Sequence, residues 1–282
     1  GDVYKRQTLG ESTLSAEELT SIAGNLANGA VIDLGEATFA TTEFPMDFTR
    51  KTNLQEIALP RNIQTFTPST YNSGAFYGCE NLTRVTFPEG LTATGQNCFR
   101  NCAKLESIEL PSSVRTLDIY AFYGCKLLTS VVIPEGVEAI PRFLFDSCTA
   151  LTDVTLPSTL KSIGAEAFEA TGLEEITIPE SVTTIESSVF KNCKSLERIQ
   201  FPDALTAIPA NLCNACSALT TINMPSKLET VGNDAFYNCG KLQDVTFPET
   251  LKSLDERSFG GCSAFTRIII DIPAIANYAF WN

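Results

Sequence analysis

One period governs this chain. Counted on the leucine after each cysteine, Leu82, Leu105, Leu128, Leu151, Leu173, Leu196, Leu219 and Leu242 follow one another at 23 residues, with a 22-residue step into Leu173, and Phe265 takes the next place. A proline six residues on keeps the same step (Pro88, Pro111, Pro134, Pro157, Pro179, Pro202, Pro225, Pro248), as do Phe76, Phe99, Phe122, Phe145, Phe168, Phe190, Phe236 and Phe259. An earlier repeat starts at Leu54 with Pro60 and is enlarged around "TPSTYNSGA". Self-similarity of this kind marks stacked coils. None of them folds alone, because so short a coil buries too little apolar surface to offset its own ordering.

The local pattern predicts the shape of a coil. In "LTRVTFP", Val85 and Phe87 point one way and Arg84 and Thr86 the other, the alternation of a short strand. Proline ends that strand because it has no N–H for the ladder. A second extended piece follows ("LKSL", "VTTI"), then a tight turn or single helical turn around "AF". Each coil stacks on the next at about the 4.8 Å spacing of paired strands.

These residues carry a resemblance. The units, L-x-x-[IV]-x-[LIF]-P-x-x-[LV]-x-x-[IL] followed by "AF" and a cysteine, resemble the BspA-like class of leucine-rich repeats over residues 54–282, in about ten copies. The resemblance implies an α/β-type, β-rich solenoid. It would be a right-handed superhelix with a parallel sheet on one face and short turns or single helical turns on the other. It also implies a cell-surface or secreted protein, similar to surface proteins of Bacteroidales bacteria and some mucosal protists. The partner it implies is a host or microbial surface protein or glycan.

The ends depart from the period. Residues 1–13 are expected to be a non-native or disordered tail, "GDVYKRQ" resembling a cloning scar or translated adapter. Residues 14–53 are expected to cap the first coil. In them 14–28 read as a helix opened by a Ser15/Glu18 capping box and stopped by Gly29, with "AVIDLG" as a strand after it. At the other end "IANYAFWN" stops where the next cysteine would fall, so a truncated C-terminus is expected.

Eight of the 10 cysteines share one place in the frame: Cys79, Cys102, Cys125, Cys148, Cys193, Cys216, Cys239 and Cys262, with Thr171 in that slot of the shortened repeat. The spacing predicts an inward column of thiols packing as small hydrophobes. Disulfides along the column are disfavoured, since parallel stacked side chains lack the bonding vectors. Cys98 and Cys213 stand off the frame. The "CNAC" of 213–216 could join Cys193 and Cys239 around zinc, but its spacing is already the phenylalanine-to-cysteine distance of the repeat. Cys213 replaces a frame phenylalanine and predicts an underpacked coil.

Composition narrows the function. The chain has no histidine, which removes the commonest general base and metal ligand. Neither catalytic residues nor a metal or cofactor is expected, and the "TPSTYNSGA" loop is the one candidate for a pocket. A net charge of −13 opposes nucleic-acid backbones and anionic lipid. No apolar run reaches the roughly 18 residues of a membrane span, so no membrane insertion is expected.

Recognition would then fall to the outward positions two and four residues after each frame leucine. They are polar and threonine-rich, and lack the aromatic cluster of a strong hot spot. The candidates are Arg84, Asp153, Glu175, Arg198, Gln200 and Asp244. Asp153, Glu175 and Arg198 should be consecutive neighbours. Glu180 and Asp203, each after a proline, would either share a calcium ion or stay solvated. The expected function is non-catalytic recognition or adhesion through the strand face. The alternative is a rigid spacer displaying another domain.

Overall fold

The computed structural model describes residues 6–8, 10–70, 72–243, 245–266, 270 and 272–281. The chain forms two compact units, Gly1–Val137 with Ser147–Leu151 and Glu138–Asp146 with Thr152–Asn282. Both are built of β-solenoid coils with parallel sheets, about 11 turns in all.

In the first unit, four parallel strands lie in the order Arg6–Thr8, Ala30–Asp33, Leu54–Ala58, Arg84–Thr86. The segment expected to be a tail therefore contains a strand, and a second, Thr13–Leu14, pairs with Thr38–Phe39. The helix runs Ala16–Gly24. Ser15 Oγ accepts from the Glu18 amide at 3.2 Å and the Glu18 carboxylate accepts from the Ser15 amide at 2.9 Å. The carboxylate's bonds from the Ser15 amide and from the Ser15 hydroxyl, each 2.9 Å, hold the Glu18 carboxyl below its ordinary value. The helix stops four residues short of 28 because Gly24 is a poor helix former and the Asn25 side chain bonds the Ser21 carbonyl at 2.8 Å.

In the second unit, Glu175–Thr177, Arg198–Gln200 and Thr221–Asn223 form one parallel sheet. Shorter strands build two more: Ala139–Ile140, Ser162–Ile163 and Thr184–Ile185; then Ala207–Ile208, Thr230–Val231, Ser253–Leu254 and Ala274–Ile275. The alternation holds residue by residue: Ile176 and Ile199 are buried between exposed neighbours.

No repeat contains a helical turn among the described residues. The expected choice at "AF" resolves into tight turns, such as Cys79 N–H to Phe76 O at 3.1 Å and Leu82 N–H to Cys79 O at 3.0 Å. From Phe99 to Phe259, two left-handed residues bracket each phenylalanine slot, as Asn97 (φ 55°) and Asn101 (φ 61°) do around Phe99. A left-handed residue every few positions stops a helix from propagating.

The phenylalanines stack through both cores. Phe76, Phe99 and Phe122 follow at centroid distances of 5.2 and 5.5 Å, nearly parallel. In the second unit Phe145, Phe168 and Phe190 follow at 5.7 Å each, and Phe236, Phe259 and Phe280 at 5.0 and 5.7 Å. Cys213 interrupts that stack. Burial twelve residues before the slot differs in that coil. Phe87 and Phe247 each meet, edge-on, the frame phenylalanine twelve residues later. Phe201 stands twelve residues before Cys213 and is 1 % exposed, while Phe87 and Phe247 are only half-buried.

All 10 cysteines are free and buried. Each frame thiol has a bond the sequence did not suggest: it donates to the carbonyl of the phenylalanine slot on the preceding coil. The distances run from 2.9 Å for Cys79 to Phe48 up to 3.2 Å for Cys125 to Phe99 and Cys262 to Phe236. Burial pushes the Cys79 and Cys262 thiols from an ordinary 9.0 up to about 12. It raises those of Cys98, Cys102, Cys125, Cys193, Cys213, Cys216 and Cys239 in the same direction.

Candidate functional site

The strand face of the second unit is a shallow concavity of about 900 Å³. Period-two alternation turns one side chain of every pair outward, and parallel register sets them in rows. Glu175 stands beside Arg198 and then Thr221; Thr177 stands beside Gln200 and then Asn223. Asp153 and Thr155 also line it, over a floor that includes Ile176, Ile199 and Ile222.

Four of the six sequence candidates therefore meet here: Asp153, Glu175, Arg198 and Gln200. Arg84 lies on the first unit, opposite Glu56 in register, on a smaller concavity of about 340 Å³ that also takes in Asp33 and Thr86. Asp244 lies outside the described residues.

Arg198 Nη2 is hydrogen-bonded to the Glu175 carboxylate. That bond and the carboxylate's charge raise the Arg198 guanidinium above its ordinary value. Both side chains are about two-thirds exposed, so the pair adds little stability and its groups remain within reach of a partner. Asn223 is exposed but committed to the neighbouring coil's backbone: its Oδ1 accepts from the Phe201 amide at 2.8 Å and its Nδ2 donates to the Phe201 carbonyl at 3.1 Å. The face thus offers carboxylates, a guanidinium, an amide and hydroxyls on a rigid lattice. That chemistry suits hydrogen bonding to a surface.

The other candidates fall differently. Glu180 accepts from the backbone N–H of Asp203 at 3.1 Å, tying adjacent coils together. Cys193, Cys213, Cys216 and Cys239 do not converge on a metal-ligand geometry; among the described residues one trio does, Asp146, Glu166 and Glu169, with oxygens within 4.8 Å of one another. Sequence reasoning missed this trio, whose members come from two different places in the turn. Burial raises the Glu166 carboxyl first, and the Glu169 and Asp146 charges raise it further. Glu169 is bound to Lys191 at 3.3 Å and to Asn192 at 3.1 Å. In the "TPSTYNSGA" loop, Ser69 Oγ donates to the Gln96 carbonyl at 2.6 Å and the Thr70 amide to Ser73 Oγ at 3.1 Å; Tyr71 lies outside the described residues. No helix among the described residues is long and apolar enough to cross a membrane.

Comparison with known proteins bears on the fold. A leucine-rich cell surface protein from Faecalibacterium prausnitzii A2-165 is similar at 25 % identity and a TM-score of 0.59, over 98 % of this chain and 80 % of that one. A leucine-rich repeat protein from Bacteroides ovatus is similar in fold at 23 % identity and a TM-score of 0.62, over 89 % and 76 %. Another from Eubacterium ventriosum gives 20 % identity and a TM-score of 0.56, over 97 % and 88 %. No curated protein matches the sequence. Leucine-rich-repeat proteins are typically non-enzymatic and typically bind proteins. A family model for the BspA type leucine-rich repeat region, in six copies, matches residues 42–171, 69–197 and 161–282. With its frame leucines, prolines and cysteines in one register throughout, the chain belongs to the BspA-type leucine-rich-repeat family.

Proposed function

We propose that this chain is a non-catalytic recognition module of the cell surface, binding a protein or glycan through the strand face of its second unit. One observation carries the reading: outward side chains of four strands, Asp153, Glu175, Arg198 and Gln200 with their threonine neighbours, line one open concavity of about 900 Å³. Solenoids bind through such extended faces because the backbone is already ordered, so little entropy is lost on docking. The likeness to a leucine-rich cell surface protein supports the location. Arg84 would serve a lesser contact on the first unit, and Asp244 would extend the row.

The spacer reading draws on the same face. Glu175 and Arg198 satisfy each other and Asn223 is spent on the backbone, which is what a solvated ladder would show. A binding screen against matrix proteins, mucin and cell-surface glycans separates the two. The control replaces Asp153, Glu175, Arg198 and Asp244 by alanine, with the fold checked by circular dichroism. Saturable binding lost in the variant supports recognition at this face. Binding kept in the variant rejects the site, and no binding at all favours the spacer.

A further inference from the structure

The turn segments of the first unit carry a surface of different chemistry from the strand face. Backbone bonds string it across successive coils: Arg50 N–H to Tyr77 O at 2.6 Å, Gly78 N–H to Arg100 O at 2.8 Å, Asn101 N–H to Tyr123 O at 2.7 Å. Along that string cations and rings alternate. The Arg50 guanidinium lies 5.5 Å from the Tyr77 ring, and that of Arg100 lies 4.5 and 4.8 Å from Tyr120 and Tyr123. The two tyrosines meet edge-on at 5.7 Å. Lys51 follows Arg50 and is half-buried, while Lys126, after Cys125, is exposed. Asp47, Glu80 and Asp118 are carboxylates on the same turns, Asp47 accepting from Thr20 Oγ1 at 2.7 Å.

The fold does not demand these residues. The column holding Tyr123 continues as Asp146, Glu169, Lys191 and Asn214 before Tyr237, and the column holding Tyr120 as Phe143, Glu166, Ser188, Asn211 and Asp234 before Arg257; the guanidinium of Arg257 lies 5.5 Å from the Tyr237 ring, a single pair beside Asp234. Tyr120 moreover sits at φ 59°, where Asn97 of the preceding coil sits at φ 55°. A left-handed tyrosine is strained where asparagine is nearly free of cost. Local sign is also reversed: cations gather here in a chain of net charge −13.

We propose that this turn face binds an anionic polysaccharide. Tyr77 and Tyr123 share one column two coils apart, about 10 Å, and each has a guanidinium against its ring, from Arg50 in the adjacent column and from Arg100 in the same one. A linear polymer with acid groups at regular intervals along its sugars can meet such a row. The ring faces take the apolar faces of sugars and the tyrosine hydroxyls their oxygens, while guanidinium and ammonium groups take carboxylate or sulfate. A protein hot spot would instead need a desolvated centre, and these rings stay half-exposed.

Titration calorimetry of the whole chain with chondroitin sulfate, polygalacturonate, dextran and poly-glutamate tests this. The expected result is saturable binding of an acidic polysaccharide and none of dextran. Arg50→Glu with Lys126→Glu, both exposed, should weaken it at least about tenfold. Arg100→Lys, which keeps the charge and loses the fork, should weaken it by a similar factor. Glu175→Ala with Arg198→Ala should leave it unchanged, which separates this surface from the strand face. The proposal is overturned by no saturable binding of either acidic polysaccharide, or by binding indifferent to the turn-face substitutions. Poly-glutamate bound as tightly as the polysaccharides also overturns it, since the surface would then read charge alone.

Discussion

Cys216 Sγ donates to the carbonyl oxygen of Phe190 at 3.0 Å, from the frame position of one coil to the phenylalanine of the coil before. Seven other frame cysteines repeat that bond, Cys239 making it at 3.1 Å to the carbonyl of Cys213, which has replaced the phenylalanine. Cysteine suits the slot because it is small, apolar enough to bury, and carries a weak donor. Cys216→Ala keeps the size nearly constant and removes one of two bonds to the Phe190 carbonyl, which still accepts from the Cys193 amide at 3.1 Å. It should cost about 0.5–1.5 kcal/mol in urea denaturation. Cys216→Ser retains a donor and should cost less than alanine; the opposite order would show that volume, not the bond, fills the slot.

Phe201 and Cys213 should be energetically coupled. If Phe201 has moved in over the space of a missing ring, Phe201→Ala opens a cavity worth about 3–5 kcal/mol. Cys213→Phe alone should overpack by about 1–3 kcal/mol. In the double variant the new ring occupies the emptied space, so the cost should be less than the sum. A double-mutant cycle reads this directly, and strict additivity would show that the two sites are independent.

Alkaline pH should destabilise the chain through its thiols. Below about pH 9 the Cys79 and Cys262 thiols are protonated whether the chain is folded or not, and the contribution is fully present. Between 9.0 and about 12 the unfolded thiols ionise while the buried ones do not. The unfolded state then binds fewer protons, and stability falls by up to about 1.4 kcal/mol per thiol per pH unit. Denaturation midpoints measured from neutral to alkaline pH should fall more shallowly for Cys79→Val with Cys262→Val. An identical slope in that variant would assign the alkaline loss to other groups.

Ala170 sits at φ 54° in a column that holds Gly78, Gly124 and Gly261 at φ 69–72°. A β-carbon there costs about 1–2 kcal/mol, set against about 0.5–1 kcal/mol for the extra freedom of an unfolded glycine. Ala170→Gly should therefore raise stability by several tenths of a kcal/mol or more. Gly124→Ala should do the reverse and more strongly, since its Cβ would meet Asn101 Oδ1 at 2.6 Å. Thermal melts of the pair check both signs.

Much of this architecture is legible in the sequence because stacking enforces identity. Val85 must alternate with Arg84 and Thr86, and a proline must close the strand, in every coil. The rows of the candidate face follow by counting two and four from a leucine, so the pairing of Glu175 with Arg198 could be read directly. Other features leave no local signal. Phe143 and Glu166 give no hint of left-handed backbone, because hydrogen bonds to the next coil, not their own propensity, hold them there. Asn223 reads as one more outward polar residue until its bonds to Phe201 are seen. The trio of Asp146, Glu166 and Glu169 is invisible for a related reason: carboxylates three residues apart on one turn meet a third from the turn before.

Ser258 is the one fully buried hydroxyl whose position in the repeat argues against it. It is 0 % exposed, and its Oγ has no hydrogen-bond partner among the described residues. The same slot before the phenylalanine holds Ala121, Ala167, Ala235 and Ala279, all buried. Its backbone is well used, the carbonyl accepting from the Phe236 amide at 2.8 Å. The side chain is therefore a desolvated polar group in a place built for a methyl. Ser258→Ala removes that penalty with almost no change in volume and should stabilise the chain by about 1–3 kcal/mol. Urea denaturation of the single variant measures it. A loss of stability on substitution would mean that the hydroxyl finds a bond in solution, with a bound water as the first candidate to look for.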